Sequence, residues 1–205
     1  MFPSVRYARM SSQLIVCRNT ESAVIKVKAS EAWALIRRLN FVDIMPSIVK
    51  RCSLLIPLGA GTSSPGPTSP RSKSSTVKLE EVEYQDLPLG NGSGNPFACA
   101  VAVGSLRHVV YKDSAEFVFR VVEISDVLRQ ISYELIETDA TINVSSIMHT
   151  IQLFEVTETG ETMINWTTDF SGDCDQHVYS DCKYKKLDAF KDIRKNFEKP
   201  SAKNT

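Results

Sequence analysis

Residues 103–170 decide the fold: VGSLRHVVYK (103–112), EFVFRVVEI (116–124), LRQISYELIE (128–137), VSSIMHTIQLFEV (144–156) and TMINWTTDF (162–170). Each stretch alternates apolar and polar residues at period two, the signature of a half-buried strand. Phe117, Phe119 and Val121 share one face of the second stretch. Ile131, Tyr133 and Leu135 share one face of the third, with Gln130, Ser132 and Glu134 opposite. In the last, Ile164, Trp166, Thr168 and Phe170 oppose Met163, Asn165, Thr167 and Asp169. Asp113-Ser114, Ser125-Asp126 and Thr159-Gly160 supply the turns between them. So many short alternating strands joined by tight turns predict an antiparallel meander with one solvated face.

A helix is predicted directly after the meander, QHVYSDCKYKKLDAFKDIRKNF (176–197). Its apolar stripe is Val178, Cys182, Phe190, Ile193 and Phe197, with Lys and Asp on the opposite side. Its expected role is to cover the apolar face of the sheet. Before the meander, ESAVIKVKA (21–29) reads as a strand, and Ser30 stands as an N-cap for EAWALIRRLN, with Asn40 as its stop. FVDIMPSIVKRC (41–52) suggests a second short helix, and residues 53–56 a returning strand. From Pro57 the chain turns rich in Pro, Gly, Ser and Thr, a composition that cannot bury enough apolar surface to offset ordering entropy. Residues 57–100 therefore read as a disordered insert inside one domain spanning 21–198, with tails at 1–20 and 199–205. Within the insert, VKLEEVEYQDL (77–87) alternates briefly and suggests a short strand pair or a partner-binding segment.

Composition narrows the function classes. The 205 residues are 42% hydrophobic and 23% charged with zero formal net charge, so electrostatic capture of nucleic acid is not expected. No apolar run approaches the roughly 20 residues of a membrane span, and the start lacks the apolar core of a secretory signal. Arg6, Arg9 and Arg18 in an acid-free N-terminus leave an organellar alternative beside the expected cytoplasmic location. Five cysteines without CxxC pairs point to free thiols in a reducing compartment.

The order strand, two short helices, returning strand, meander and terminal helix resembles the helix-grip fold of the START-like superfamily. That superfamily includes the birch-pollen allergen group, the polyketide cyclase/dehydrase and lipid-transport group and the plant abscisic acid receptors. KASEAWALIRRLN with SIVKRCSLL is similar to its opening strand–helix–helix unit; VGSLRHVVYK, EISDVLRQISYEL and TMINWTTDF are similar to its later strands. The resemblance implies an α+β domain: a curved antiparallel β-sheet wrapped around a long C-terminal helix, with two short helices after the first strand. It also implies a cavity between sheet and helix that takes apolar molecules such as lipids, sterols, polyketides or isoprenoids. The receptors' gate and latch positions read KDSAE and DATIN here, and Lys50 is not matched to their carboxylate anchor, so the receptor reading is set aside.

Matched by parity, Val109, Tyr111, Phe117, Phe119, Tyr133, Ser146, Met148, Trp166 and Thr168 are expected on the concave face, with Cys182 on the helix as a further ligand-binding position. His149 takes the outer parity. The run DCDQHVYSDC (173–182) holds Cys174, His177 and Cys182 but no second half-site, so Asp173 and Asp175 read as acids favouring a helix N-terminus rather than as zinc ligands. Arg107 and Glu123 read as a cross-strand ion pair. LGNGSGNP (89–96) lacks the phosphate-loop pattern. No catalytic residue, metal or cofactor is expected. The expected function is carriage or sensing of an apolar small molecule. A cyclase/dehydrase-type enzyme using the same cavity is the alternative, and so is an interaction module whose insert docks a protein partner.

Overall fold

In the computed structural model, residues 17–57, 79–83 and 101–198 are described. The elements are β1 (Cys17–Ile25), α1 (Ala29–Ile36), α2 (Phe41–Ile44), β2 (Val49–Pro57), β3 (Leu79–Glu83), β4 (Leu106–Tyr111), β5 (Glu116–Ser125), β6 (Gln130–Thr138), β7 (Ile147–Val156), β8 (Glu161–Phe170) and α3 (Gln176–Glu198). The strands form one antiparallel sheet in the order β1-β8-β7-β6-β5-β4-β2-β3. This is the helix-grip arrangement, with α3 held on the sheet's apolar face. The alternation that predicted the meander is visible in β8, where every second residue from Thr162 to Phe170 is buried.

Three boundaries differ from expectation. β1 begins at Cys17 rather than Glu21, because residues 17–20 find in-register partners on β8, Cys17 opposite Phe170 and Thr20 opposite Thr167. α1 begins two residues earlier than a Ser30 cap would place it. Its N-cap is Lys28, whose carbonyl accepts from the amides of Glu31 and Ala32. Within the expected insert, Leu79–Glu83 pairs antiparallel with β2 and becomes the sheet's edge strand. The rest of the insert beyond Pro57, residues 1–16 and the whole C-terminal tail lie outside the described residues.

The short helices close one end of the sheet. The indole Nε1 of Trp33 donates to Asp126 Oδ1 at 2.8 Å, and Arg37 Nε donates to the same oxygen at 2.6 Å, which ties α1 to the β5–β6 turn. On α3, Asp192 Oδ2 accepts from the Ser47 amide at 2.8 Å and Asn196 Nδ2 donates to the Asp43 carbonyl, tying the helix's far end to α2 and its exit. Asp175 caps the near end, its Oδ1 accepting from the Val178 amide at 2.8 Å. Both ends of α3 are thus fixed, and its middle spans the sheet.

Candidate ligand cavity

Between the concave face and the first half of α3 lies a cavity of about 230 Å³. Adjacent strands each contribute to it: Tyr111 from β4, Phe117 and Phe119 from β5, Tyr133 and Leu135 from β6, Ile147 and His149 from β7, and Trp166 from β8. Phe41 and Met45 line it from the α2 side, and Val178, Cys182, Lys185 and Lys186 from α3. Asp113, Thr141, His177 and Asp181 complete its border from two strand connections and the start of α3. The rings support one another edge-on: Phe41 to Tyr133 at 5.5 Å, Phe119 to Tyr133 at 5.4 Å and Tyr111 to Phe117 at 5.1 Å. Rigid aromatic side chains propped in this way contact each other strongly without filling the space between them.

Six of the ten expected positions line the cavity: Tyr111, Phe117, Phe119, Tyr133, Trp166 and Cys182. Val109 and Thr168 are fully buried but do not border it. Two expected positions are corrected. Met148 sits opposite Glu134 and Asp169, whose side chains bond Arg120 and Arg18 on the convex face, so it faces outward with them. Ser146 precedes β7 and is exposed; its carbonyl accepts from the Ser171 amide. The true inward series on β7 is Ile147, His149, Ile151 and Leu153. His149 therefore reverses the outer assignment.

The other candidates disperse. Arg107 is buried with the inward parity of Val109, whereas Glu123 accepts from Gln130 and Ser132 on the convex face; a bulge between Val121 and Glu123 separates the two parities. Lys50 is exposed. Cys174 lies in the small cluster of Ile147, Phe170 and Val178 together with Cys17, while His177 borders the cavity and Asp173 is held by Ser145 and Ser171. Among the described residues no three His, Cys, Asp or Glu side chains converge as a metal site. The stretch 89–96 lies outside them.

A polar group of connected side chains sits on the cavity wall. His149 stacks on Tyr133 at 4.8 Å, and its Nδ1 lies 2.9 Å from Thr168 Oγ1. Thr168 Oγ1 in turn lies 3.4 Å from Cys182 Sγ. One turn along α3, Lys186 donates from Nζ to the Asn19 carbonyl at 2.9 Å and to Asn19 Oδ1 at 2.8 Å. Burial, with the nearby Lys186 charge second, pushes the His149 imidazolium down to about 3, so the ring is neutral. Burial also lowers Lys186, to about 8, against the opposing influence of Cys182, Glu21 and Asp169. Cys182 is raised by burial. The Trp166 indole Nε1 is buried and makes no hydrogen bond of ordinary geometry among the described residues; burial raises the Tyr133 hydroxyl well above its ordinary value, and the nearby indole opposes this only in part. At the border, Lys185 Nζ bonds Asp181 at 2.8 Å and sits 4.4 Å above the Tyr111 ring. Lys186 departs from the expectation that the lysines of α3 take its solvent side. Its spacing midway between Cys182 and Phe190 was the available signal.

No family model matches the chain, and no curated protein matches it. Solved structures do. A protein of Nitrosospira multiformis matches with a TM-score of 0.58 at 16% identity, over 89% of this chain and 97% of its own. The protein XoxI of Bacillus cereus matches at 0.56 and 17%, over 88% and 94%. Major latex-like protein 151 of Panax ginseng matches at 0.56 and 15%, over 88% and 97%. At such identities the likeness shows the fold alone. Among the described residues no helix is long and apolar enough to cross a membrane.

Proposed function

We propose that this protein binds a small, largely apolar molecule in the cavity under α3 and serves to carry or sense it. One observation supports this above the others. A sheet-and-helix interior that could have closed completely instead keeps about 230 Å³ open between aromatic rings, with polar atoms on its wall. Pockets for small molecules have this make-up, a mostly apolar lining with a few placed polar groups. The volume is modest, below the range of roughly 300–1,000 Å³ usual for such pockets. It favours a small ring system or a short chain over a complete sterol.

An enzymatic reading draws on the same wall, where His149, Cys182 and Lys186 approach one another. A general base works best with a pKa near the working pH. His149 at about 3 is far below it, and Lys186, at about 8, is held by its bonds to Asn19, so the binding reading leads.

Trp166 reports on the test. In a Trp33→Phe background, an uncharged environment-sensitive probe such as N-phenyl-1-naphthylamine should quench Trp166 emission saturably. Phe119→Trp should weaken that binding by filling the cavity. An absence of saturable change across acyl, aryl and isoprenoid compounds would sink the reading.

A further inference from the structure

Resting on that reading, we infer that the molecule bound in the cavity carries a carboxylate, which seats against Lys186 with the Trp166 indole N–H as a second donor. Lysine is almost never fully buried unless an opposite charge meets it. Lys186 is 2% exposed, borders the cavity and makes no ion pair among the described residues. Its two recorded partners, the carbonyl and side-chain oxygens of Asn19, are both acceptors and both neutral. They hold the group as an ammonium ion, which has three N–H bonds, and they use two. The carboxylates that influence it are engaged elsewhere: Glu21 faces Lys183 and Asp169 is bound by Arg18. A buried cation solvated only by amide dipoles is short of a counter-charge.

The other side of the cavity points the same way. Trp166 is 3% exposed, and its buried Nε1 has the Tyr133 hydroxyl near it but no hydrogen bond of ordinary geometry among the described residues. Buried donors are normally satisfied, so an orphan on a cavity wall marks a place for an acceptor. Trp166 and Thr168 share the inward face of β8, and Thr168 bonds toward Cys182, one turn from Lys186 on α3. The lysine and the indole thus border one space from helix and sheet. The neutral His149 on the same wall adds no charge, Lys185 at the border is paired with Asp181, and apart from the border residues, Asp113 among them, the rest of the lining is aromatic or aliphatic. An apolar body with a single carboxylate suits this distribution: the body lies among the rings, and one charge-assisted bond forms at Lys186. An engineered apolar cavity of 150 Å³ accepts benzene. The larger space here therefore suits an aryl or short-chain acid.

The test uses the full chain and three probes of one shape: 3-phenylpropanoate, 3-phenylpropanamide and 3-phenylpropan-1-ol, titrated calorimetrically at pH 7. The acid should bind about tenfold or more tighter than the neutral pair. Lys186→Met should erase that preference while retaining binding of the alcohol. Trp166→Phe keeps a ring but removes the N–H, and should weaken the acid more than the alcohol; it also serves as the deciding variant if Lys186→Met loses its cooperative melt. Equal binding of acid and alcohol to the wild-type chain, or an acid preference that survives both substitutions, overturns the carboxylate inference and leaves the apolar-binding reading standing. Failure of all three probes and of the apolar dye together overturns both.

Discussion

The two halves of α3 face one sheet and produce different interiors. Around its C-terminal half, Ala189, Phe190 and Ile193 belong to a continuous buried cluster with Ile25, Ile36, Ile44, Ile151, Leu153 and Ile164. Around its N-terminal half, Val178, Cys182 and Lys186 share their space with Tyr111, Tyr133, His149 and a cavity. Branched aliphatic side chains have shapes that interdigitate, and buried clusters of this kind pack closely. The other end is built from flat rings braced against each other and from polar groups that need partners, neither of which collapses into a gap. A single backbone scaffold thus yields a packed end and an open end according to side-chain type.

Paired truncations offer the strongest way to break that comparison. Ile193→Ala, at the packed end, should lower the unfolding free energy by about 3–4 kcal/mol, since a fully buried residue leaves a new cavity behind. Phe117→Ala removes a larger side chain, but one that is only partly buried and already borders open space, so about 1–2 kcal/mol is expected. Urea denaturation of both variants checks the order. Equal losses, or a reversed order, would mean that the open end is packed like the other.

The packed end was the more legible one in the sequence. Its residues follow plain alternation or helical spacing: Ile164 falls where strand parity puts it, and Phe190 and Ile193 where helical spacing does. The aromatic wall was legible too, because Phe117, Phe119 and Tyr133 sit on strands with clear alternation. β7 was not. Met148 and Phe154 are large and apolar on the outer face, so two parities compete there, and only the series Ile147, Ile151 and Leu153 marks the inner one. A slip of one residue exchanged Met148 for His149, because the side-chain period of a strand is two. Lys186 was misplaced for a different reason. Charge outweighed its helical spacing, and the neutral acceptors that hold it come from Asn19, 167 positions away along the chain and in a stretch read as tail. Tertiary partners of this kind leave no local trace.

A pH titration sharpens the contrast from the open end. His149 has an ordinary value of 6.5 and is held at about 3 by burial first and the Lys186 charge second. The unfolded chain therefore takes up a proton near 6.5 that the folded chain refuses, and stability falls as pH drops from 6.5 toward 3. Between pH 7 and pH 5 the loss should be about 2 kcal/mol. The lowered carboxyls, among them Asp126, Asp173 and Asp175, lose their contribution only at more acid pH, so this window isolates the histidine. His149→Gln should flatten the profile between pH 7 and 5, as measured by urea melts. A slope unchanged in that variant would show that the ring is not shut away from water.

The smallest effect is expected at β3, which belongs to neither end. Glu81 on this edge strand accepts from Ser53, from His108 Nδ1 at 3.0 Å and from Arg51 at 3.1 Å, all on the convex side of the sheet. Partial burial would raise its carboxyl, but the bonds from Ser53 and His108 and the Arg51 charge more than offset this, leaving it below its ordinary value. Its contribution is thus present above the unfolded value and fades as pH falls through the lowered one. Solvent reaches most of these groups, and such surface networks are worth under about 1 kcal/mol. Glu81→Ala should therefore leave the global urea midpoint nearly unchanged, while the amides of residues 79–83 exchange faster with deuterium. Edge strands held by few cross-strand side-chain bonds open locally before the sheet does. A global loss approaching that of Ile193→Ala would place β3 within the cooperative core, and the packed end would then extend across the sheet to its outer edge.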